Sequence, residues 1–159
     1  MNSTKKRLLK LQVTDVMASD VVTVSANSTM SEAADVMSER QVTGAPVVDQ
    51  QGRCIGVLSG SDYVHSRAAV LDSPGTSGEL ALHAAPCRCR TEEEIHDLVR
   101  RHMTPAVQTI DSGCSLMEAA RCMVEKHIHR LIVIDNNCVP IGVLTSLGLV
   151  SAWIDAVEE

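Results

Sequence analysis

Aromatic side chains are almost absent from this sequence, which has one tryptophan, one tyrosine and no phenylalanine in 159 residues, and its net charge is −6. Surfaces that bind nucleic acid polymers need basic stripes and aromatic platforms, so we expect no nucleic acid partner. No apolar run approaches the roughly 18–20 residues of a membrane span. The basic, interrupted stretch at 5–11 predicts no secretory signal. We therefore expect a cytoplasmic protein that does not enter a membrane.

The six cysteines include no Cys-x-x-Cys pair, so the sequence predicts neither a zinc ribbon nor a thioredoxin-type site. It also has no glycine-rich phosphate loop, no Ser-His-Asp arrangement and no spacing of His and carboxylates that is typical of a metal site. We therefore expect a protein that is not an enzyme and that holds no metal. A redox device built on the neighbouring Cys87 and Cys89 is a remote alternative.

The most informative feature that is present is a repeat without gaps. Two stretches of 52 residues, beginning at Val13 and Val99, match at a constant offset of 86 with sixteen identical positions. Two copies are too few for a solenoid, so we expect a pseudo-symmetric pair with ligands where the copies meet. The predicted organisation is repeat 1 at 13–64, a linker with helical segments at 65–98, and repeat 2 at 99–153.

Both repeats show the same order of secondary structure. Each contains a capping box, Thr29-x-x-Glu32 or Ser115-x-x-Glu118, followed by apolar residues at helical spacing. Two apolar runs around a polar turn then predict a β-hairpin. A short strand is predicted before each box, at 21–24 and 107–110, and a second helix after each hairpin, clearest over 150–157. The order β-α-β-β-α gives a small sheet that needs cover, and the other repeat can provide it.

These repeats resemble a tandem pair of CBS (cystathionine β-synthase type) domains, a Bateman module. The likeness rests on Asp-Val-Met at 15–17, Thr-Gly-Ala-Pro-Val-Val-Asp at 43–49 and Gly-Val-Leu-Ser-Gly-Ser-Asp at 56–62. It extends over about 13–153, so no separate catalytic or transport domain is expected. The resemblance implies an α/β fold in which two β-α-β-β-α repeats pack with pseudo-two-fold symmetry.

The same resemblance implies a function. The implied function is a non-catalytic regulatory module that binds AMP, ADP, ATP or S-adenosylmethionine in the cleft between the repeats. Such a module needs no cofactor beyond this regulatory ligand and acts as an energy or metabolite sensor for a partner protein. A homodimer and an unidentified regulated protein are implied as partners. The alternative is a structural dimerising subunit with no physiological nucleotide.

The resemblance also assigns roles to particular residues. The family's ribose motif, Gly-h-x-Ser/Thr-x-x-Asp, matches Gly56, Ser59 and Asp62 in repeat 1. In repeat 2, His129 and Arg130 are the residues implied to face the phosphate, together with Ser59, and Arg offers a planar fork of donors. The residues expected around the adenine are Leu58, Val107, Gln108, Ile128 and Ile132.

Each assignment has a plainer alternative. Asp62 can cap the start of its own helix. His129 and Arg130 can form a solvated pair at the C-terminus of a helix, where cations are favoured. The apolar residues of the adenine set suit a hydrophobic core equally well. The second cleft lacks its own motif, because Gly148 replaces the ribose-binding Asp and Thr43–Gly44 replaces the His-Arg pair, so we expect one equipped site.

Overall fold

The computed structural model describes residues 10–71 and 97–158, and each repeat contains one small sheet. Repeat 1 consists of β1 (Val24–Ser25), α1 (Met30–Glu39), β2 (Gly44–Val48), β3 (Cys54–Ser59) and α2 (Gly60–Leu71). The short helix α3 (Val99–His102) introduces repeat 2, which continues with β4 (Thr109–Asp111), α4 (Leu116–Lys126), β5 (Arg130–Ile134), β6 (Pro140–Thr145) and α5 (Ser146–Glu158). The predicted α/β fold with two β-α-β-β-α repeats is therefore confirmed. Most of the predicted linker, with Cys87 and Cys89, lies outside the described residues.

The two sheets have the same topology. The strand orders are β1-β2-β3 and β4-β5-β6, with the first pair of strands parallel and the second antiparallel, which is the predicted hairpin. Both predicted first strands are present, but each begins later than predicted, β1 at Val24 and β4 at Thr109. The reason is that the chain just before each strand is held by the other repeat, through bridges of Ala18 with Val143 and of Thr104 with Val57.

Both predicted capping boxes are confirmed. Thr29 and Ser115 each accept a hydrogen bond from the backbone N–H of the glutamate three residues later, and that glutamate accepts one in return from the backbone N–H of the cap. Hydrogen bonds from the side chain and the backbone of Ser115 lower the pKa of Glu118 below its usual value. The boxes start α1 and α4 where the apolar spacing begins, so that one face of each helix is buried.

A left-handed residue ends the first helix of each repeat. Gln41 has φ 53° and His127 has φ 52°, at positions related by the offset of 86. A residue in this conformation satisfies the last carbonyls of a helix and turns the chain sharply. The turn brings the following residues, 43–44 in repeat 1 and 129–130 in repeat 2, to the start of the central strand of each sheet.

The segments that lead into the repeats are exchanged. Val13, which begins repeat 1, is fully buried in the core of repeat 2, and Val99, which begins repeat 2, is fully buried in the core of repeat 1. Each lead-in also sends a methionine onto a glycine of the opposite sheet, Met17 onto Gly142 and Met103 onto Gly56. Each repeat therefore completes the other's core, and the two form one folding unit.

None of the helices among the described residues is long and apolar enough to cross a membrane.

Candidate functional site

A cleft of about 410 Å³ lies between the two repeats. Its volume falls within the roughly 300–1,000 Å³ that is usual for pockets that bind small molecules. Seven of the nine residues predicted for the site line it: Ser59, Val107, Gln108, Ile128, His129, Arg130 and Ile132. The two exceptions are Leu58 and Asp62. The structure thus brings Ser59 of repeat 1 together with His129 and Arg130 of repeat 2.

The prediction for Leu58 was wrong. This side chain is 0% exposed and belongs to the core of repeat 1, on the helix side of the sheet. Successive residues of a strand point to opposite faces, so Val57 and Ser59 line the cleft and Leu58 between them does not. Val57 and its counterpart Val143 therefore belong to the apolar wall, although the sequence did not predict them, and the alternation of β3 and β6 is the signal that could have identified them.

Asp62 lies beside the cleft and holds Ser59 in place. Its Oδ2 accepts hydrogen bonds from the backbone N–H of Ser59 and from the Ser59 hydroxyl, both at 2.7 Å. Its Oδ1 accepts a longer bond, 3.3 Å, from the hydroxyl of Thr104 in the exchanged lead-in, and no other bond from the described residues. The capping role that was the alternative for Asp62 is thus present. The Oδ1 atom of Asp62 can still accept a further hydrogen bond, since a carboxylate oxygen has two lone pairs.

Tyr63 follows Asp62 in α2 and is packed against the core of repeat 1. Burial raises the pKa of its hydroxyl above the usual value, and the nearby carboxylates of Asp97, Asp35 and Asp62 raise it further. The hydroxyl lies near the sulfur of Met37 in α1, on the helix side of the sheet, and stays protonated at neutral pH.

Arg130 crosses from repeat 2 to repeat 1. Both terminal nitrogens of its guanidinium donate to the hydroxyl of Thr43 at 3.3 Å. Positions 43–44 and 129–130 are equivalent under the offset of 86, so this contact lies where the repeats meet at their pseudo-two-fold axis. Within 10–71 and 97–158, Arg130 forms no ion pair with a carboxylate. Its charge is therefore available to an anionic ligand.

The residues just before β4 and β5 shape the repeat 2 side of the cleft. His129 precedes Arg130 and is exposed, and its carbonyl accepts a hydrogen bond of 3.0 Å from the backbone N–H of Ser146. The Lys126 ammonium at the end of α4 donates to the side-chain oxygen of Gln108. This contact fixes Gln108 against the helix, so Gln108 and Val107 form a wall just before β4.

The corresponding position of the second cleft lacks a carboxylate, as the sequence indicated. Thr145 and Gly148 replace Ser59 and Asp62 there, and the hydroxyl of Thr145 accepts a hydrogen bond of 3.0 Å from the backbone N–H of Gly148. A Cβ atom at Gly148 would lie 3.4 Å from that hydroxyl, so the absence of a side chain is not imposed by crowding. The two clefts therefore differ in chemistry although the backbone is repeated.

The described part of the chain contains no cluster of three or more His, Cys, Asp or Glu side chains that could hold a metal ion. Its cysteines at 54, 114, 122 and 138 are free thiols. Burial raises the pKa of Cys54, which keeps that thiol protonated and poorly nucleophilic.

Comparison with known proteins agrees with this architecture. Protein MJ1426 of Methanocaldococcus jannaschii is 29% identical over an alignment of 156 positions that covers 89% of this chain and 90% of that protein. The chloroplast protein CBSX2 of Arabidopsis thaliana is 26% identical over 147 residues, and the chain spans 60% of its length.

Two solved structures share the fold. The structure of CBSX2 in complex with AMP has a TM-score of 0.68 at 23% identity and covers 94% of this chain and 99% of that one. The CBS domain pair of MJ0100, in complex with 5′-methylthioadenosine and S-adenosyl-L-methionine, has a TM-score of 0.65 at 18% identity and covers 91% and 96%. The profile of the CBS domain matches residues 13–69 and 95–155, most of the sequence. The chain therefore belongs to the CBS domain family, as a tandem pair of CBS domains.

Proposed function

We propose that this protein is a regulatory module that binds one adenosine-containing ligand in the cleft between its repeats. The observation that carries the proposal is that two residues from different repeats meet in one cleft. Ser59 of repeat 1 is held in place by Asp62, and Arg130 comes from repeat 2. The presence of AMP in the CBSX2 structure, and of 5′-methylthioadenosine and S-adenosyl-L-methionine in the MJ0100 structure, supports an adenosine compound as the ligand.

Each part of such a ligand has a chemical counterpart in the cleft or directly beside it. The Oδ1 atom of Asp62 can accept from ribose hydroxyls, and charge-assisted bonds of this kind contribute roughly 1.5–3 kcal/mol. Arg130 can exchange its weak bonds to the Thr43 hydroxyl for the stronger ones to a phosphate. His129 and Ser59 are the further phosphate contacts. The adenine would lie against apolar side chains, which are Val57, Val107, Ile128, Ile132 and Val143.

A route from the ligand to the protein surface supports a regulatory role. Ile128 and His129 line the cleft, and they also line an apolar groove between α4 and α5. A ligand that orders these two residues changes the shape of the groove. Because coupling is reciprocal, whatever binds the groove alters the affinity for the ligand by the same factor.

In this proposal the protein is not an enzyme and requires no cofactor. It acts in the cytoplasm as a homodimer and transmits the state of the cleft to a regulated protein. The four described cysteines are thiols, which is compatible with a reducing compartment.

Thermal unfolding with AMP, ADP, ATP and S-adenosylmethionine tests the proposal. A ligand at 100 times its dissociation constant adds about 2.7 kcal/mol of stability, which raises Tm by about 5–11 °C in a protein of this size. We expect Asp62→Ala to abolish this shift. Glu118→Ala is the matched control, because Glu118 also accepts from the backbone N–H three residues earlier but lies outside the cleft. Both variants lose a helix cap, so each shift is measured against the same variant without ligand.

A second pair of variants separates the phosphate from the nucleoside. Arg130→Met is expected to lose most of the response to AMP and to keep the response to 5′-methylthioadenosine, which has no phosphate. Arg121→Met, on the exposed side of α4, is expected to respond as wild type does. If none of the four ligands raises Tm at millimolar concentration, the proposal is wrong and the structural dimerising subunit takes its place.

A further inference from the structure

Two cysteines from different repeats meet at the start of β3. The backbone N–H of Cys54, the first residue of β3, donates a hydrogen bond of 2.9 Å to the carbonyl of Cys138, in the turn between β5 and β6. Standard bond lengths on either side of this hydrogen bond keep the two Cα atoms within about 7 Å of each other. Disulfides usually join Cα atoms that are about 4.4–6.8 Å apart. The backbone therefore brings the pair within the reach of a disulfide between the repeats.

This contact does not follow from the repeat itself. The offset of 86 pairs Cys54 with Pro140 and Cys138 with Gly52. Proline has no backbone N–H, so Pro140 cannot donate the equivalent hydrogen bond to Gly52. The contact between the two cysteines is therefore a property of these two positions alone.

Cys138 adopts a backbone conformation that favours glycine. Its φ is 63°, and Gly52 at the equivalent position has φ 79°. The other non-glycine residues with positive φ in the described ranges are Gln41 and His127, which end helices, where this conformation is common. A residue with a Cβ atom is strained in this conformation. Strain that serves no helix end points to a functional role for the Cys138 side chain.

Hydrogen bonds fix the turn that carries Cys138. The Oδ1 atom of Asp135 accepts from the backbone N–H of Asn137 at 2.8 Å and of Val139 at 2.9 Å. The backbone N–H of Cys138 donates to the carbonyl of Asp135 at 3.0 Å. These bonds hold the backbone on both sides of Cys138, so the residue stays beside Cys54.

The two thiols differ in accessibility. Cys138 is exposed, whereas Cys54 is half-buried and its thiol donates weakly to the carbonyl of Gly56 at 3.6 Å. Burial raises the pKa of Cys54 and outweighs the hydrogen bond with Gly56, and the charge of the nearby Cys138 raises that pKa further. A thiol with a raised pKa is a poor first nucleophile at neutral pH. A small molecule from solution therefore meets Cys138 first.

From these observations we propose that Cys54 and Cys138 are a redox-reactive pair, which a small disulfide such as oxidised glutathione converts to a disulfide between the two repeats. Cys138 is the attacking residue and Cys54 is the resolving one. This site is separate from the cleft and does not depend on the identity of the adenosine ligand.

The reaction is a two-step thiol–disulfide exchange. The Cys138 thiolate, having lost its proton to solvent, attacks one sulfur of the small disulfide, and the other sulfur leaves as a thiolate that takes up a proton. The Cys54 thiol then loses its proton, attacks the Cys138 sulfur of the mixed disulfide and displaces the second small thiol. In total two cysteine thiols are oxidised by two electrons, and one small disulfide is reduced to two thiols.

The new bond would lock the two repeats together. It would close a loop of 85 residues, counted from 54 to 138. A cross-link across so long a loop restricts the unfolded chain strongly, and disulfides of this kind stabilise a protein of this size by a Tm increase of roughly 5–15 °C. A thiol reductant should reverse the increase.

The test treats the full chain with oxidised glutathione and then removes the excess. Cleavage after arginine places Cys54 and Cys138 in separate peptides, 54–67 and 131–159, so that mass spectrometry identifies a bond between them. We expect these two peptides to be linked within a single chain, with the loss of two hydrogen atoms and with no glutathione retained on either. We also expect the rise in Tm, and its reversal by dithiothreitol.

Three variants assign the roles. Cys54→Ser keeps a donor for the Gly56 carbonyl, and we expect it to retain one glutathione on peptide 131–159 and to show no rise in Tm. Cys138→Gly restores the residue that the backbone favours, so it should fold under reducing conditions, form no linked peptide and show no rise. Cys114→Ser is the matched control, because Cys114 is also half-buried, and it should give the same linked peptide as wild type.

The other outcomes overturn the proposal. If wild type retains glutathione on peptide 131–159, the Cys54 sulfur does not reach Cys138. If Cys138 is linked to a different cysteine, or to a second chain, the pair is not the site. A linked peptide without a rise in Tm would show that the bond does not fit the native arrangement, and the absence of any reaction would show that Cys138 is not redox-reactive.

Discussion

Leu58 and Val57 are neighbours in β3 that point to opposite faces of the sheet, and replacing each by alanine tests the placement of the cleft. Leu58→Ala deletes three carbon atoms from a fully buried position. At about 0.8 kcal/mol for each carbon, the lost transfer free energy is about 2.4 kcal/mol. A residual cavity of roughly 60 Å³, at about 24 cal/mol per Å³, adds about 1.4 kcal/mol. We therefore expect the free energy of unfolding to fall by about 3–4 kcal/mol.

Val57→Ala has the opposite profile. Val57 is half-buried and lines the cleft, so its truncation removes less buried surface, and we expect a loss of stability below about 1.5 kcal/mol. It does remove a wall of the proposed adenine site. Urea unfolding followed by circular dichroism gives the midpoint and slope for both variants, and titration of AMP under native conditions gives the affinity of the folded fraction.

The placement of the cleft predicts opposite results for the two variants in these measurements. Leu58→Ala should be much less stable than wild type and should bind AMP normally while folded, whereas Val57→Ala should be nearly as stable and bind AMP weakly. A stability loss below about 1 kcal/mol for Leu58→Ala, combined with weakened binding, would refute the reasoning, since it would put Leu58 in the cleft.

Two further variants test the fold. Gly142→Ala would push a Cβ atom into Met17 of the exchanged lead-in, so we expect urea unfolding to show a loss of stability of about 1–3 kcal/mol. Gly113→Ala is the control, because Gly113 has open space around it, and its loss should be far smaller. Equal losses for the two variants would contradict the exchange of the lead-in segments. Hydrogen bonds from Ser115 lower the pKa of Glu118. The ionised carboxylate of Glu118 therefore contributes fully to the stability of the protein above the usual carboxyl pKa, and this contribution is lost as pH falls through the lowered pKa. Between about pH 6 and pH 3, wild type should therefore lose more stability than Glu118→Gln, and parallel curves would show that the capping box contributes nothing.

Most residues of the cleft could be predicted from patterns in the sequence. Seven of the nine predicted site residues line it, because the repeat and its motifs specify positions relative to the ends of β3 and β5. Leu58 was misassigned for a local reason, since the motif names a stretch of strand whereas the pleat sends alternate residues to opposite faces. Asp62 illustrates a different difficulty. Helix capping and ribose binding require the same carboxylate at the same place, so the sequence could not separate them.

The elements of each repeat and their order could be predicted from the amino-acid sequence alone. Capping boxes, apolar periodicity and polar turns act between residues a few positions apart, and their free energies do not depend on the path of the rest of the chain. Thr29, Ser115 and both hairpins were therefore found where they were predicted.

The surfaces against which each repeat packs could not be predicted in this way, because they depend on contacts between distant parts of the chain. The sequence shows that Val13 and Val99 are apolar, but it does not show that each completes the core of the other repeat. In the same way, the helical spacing of Val150, Trp153 and Val157 predicts an apolar stripe on α5, but it does not predict that the described residues leave this stripe exposed. Burial depends on which surfaces meet after long loops close, and nothing local in the sequence records that choice.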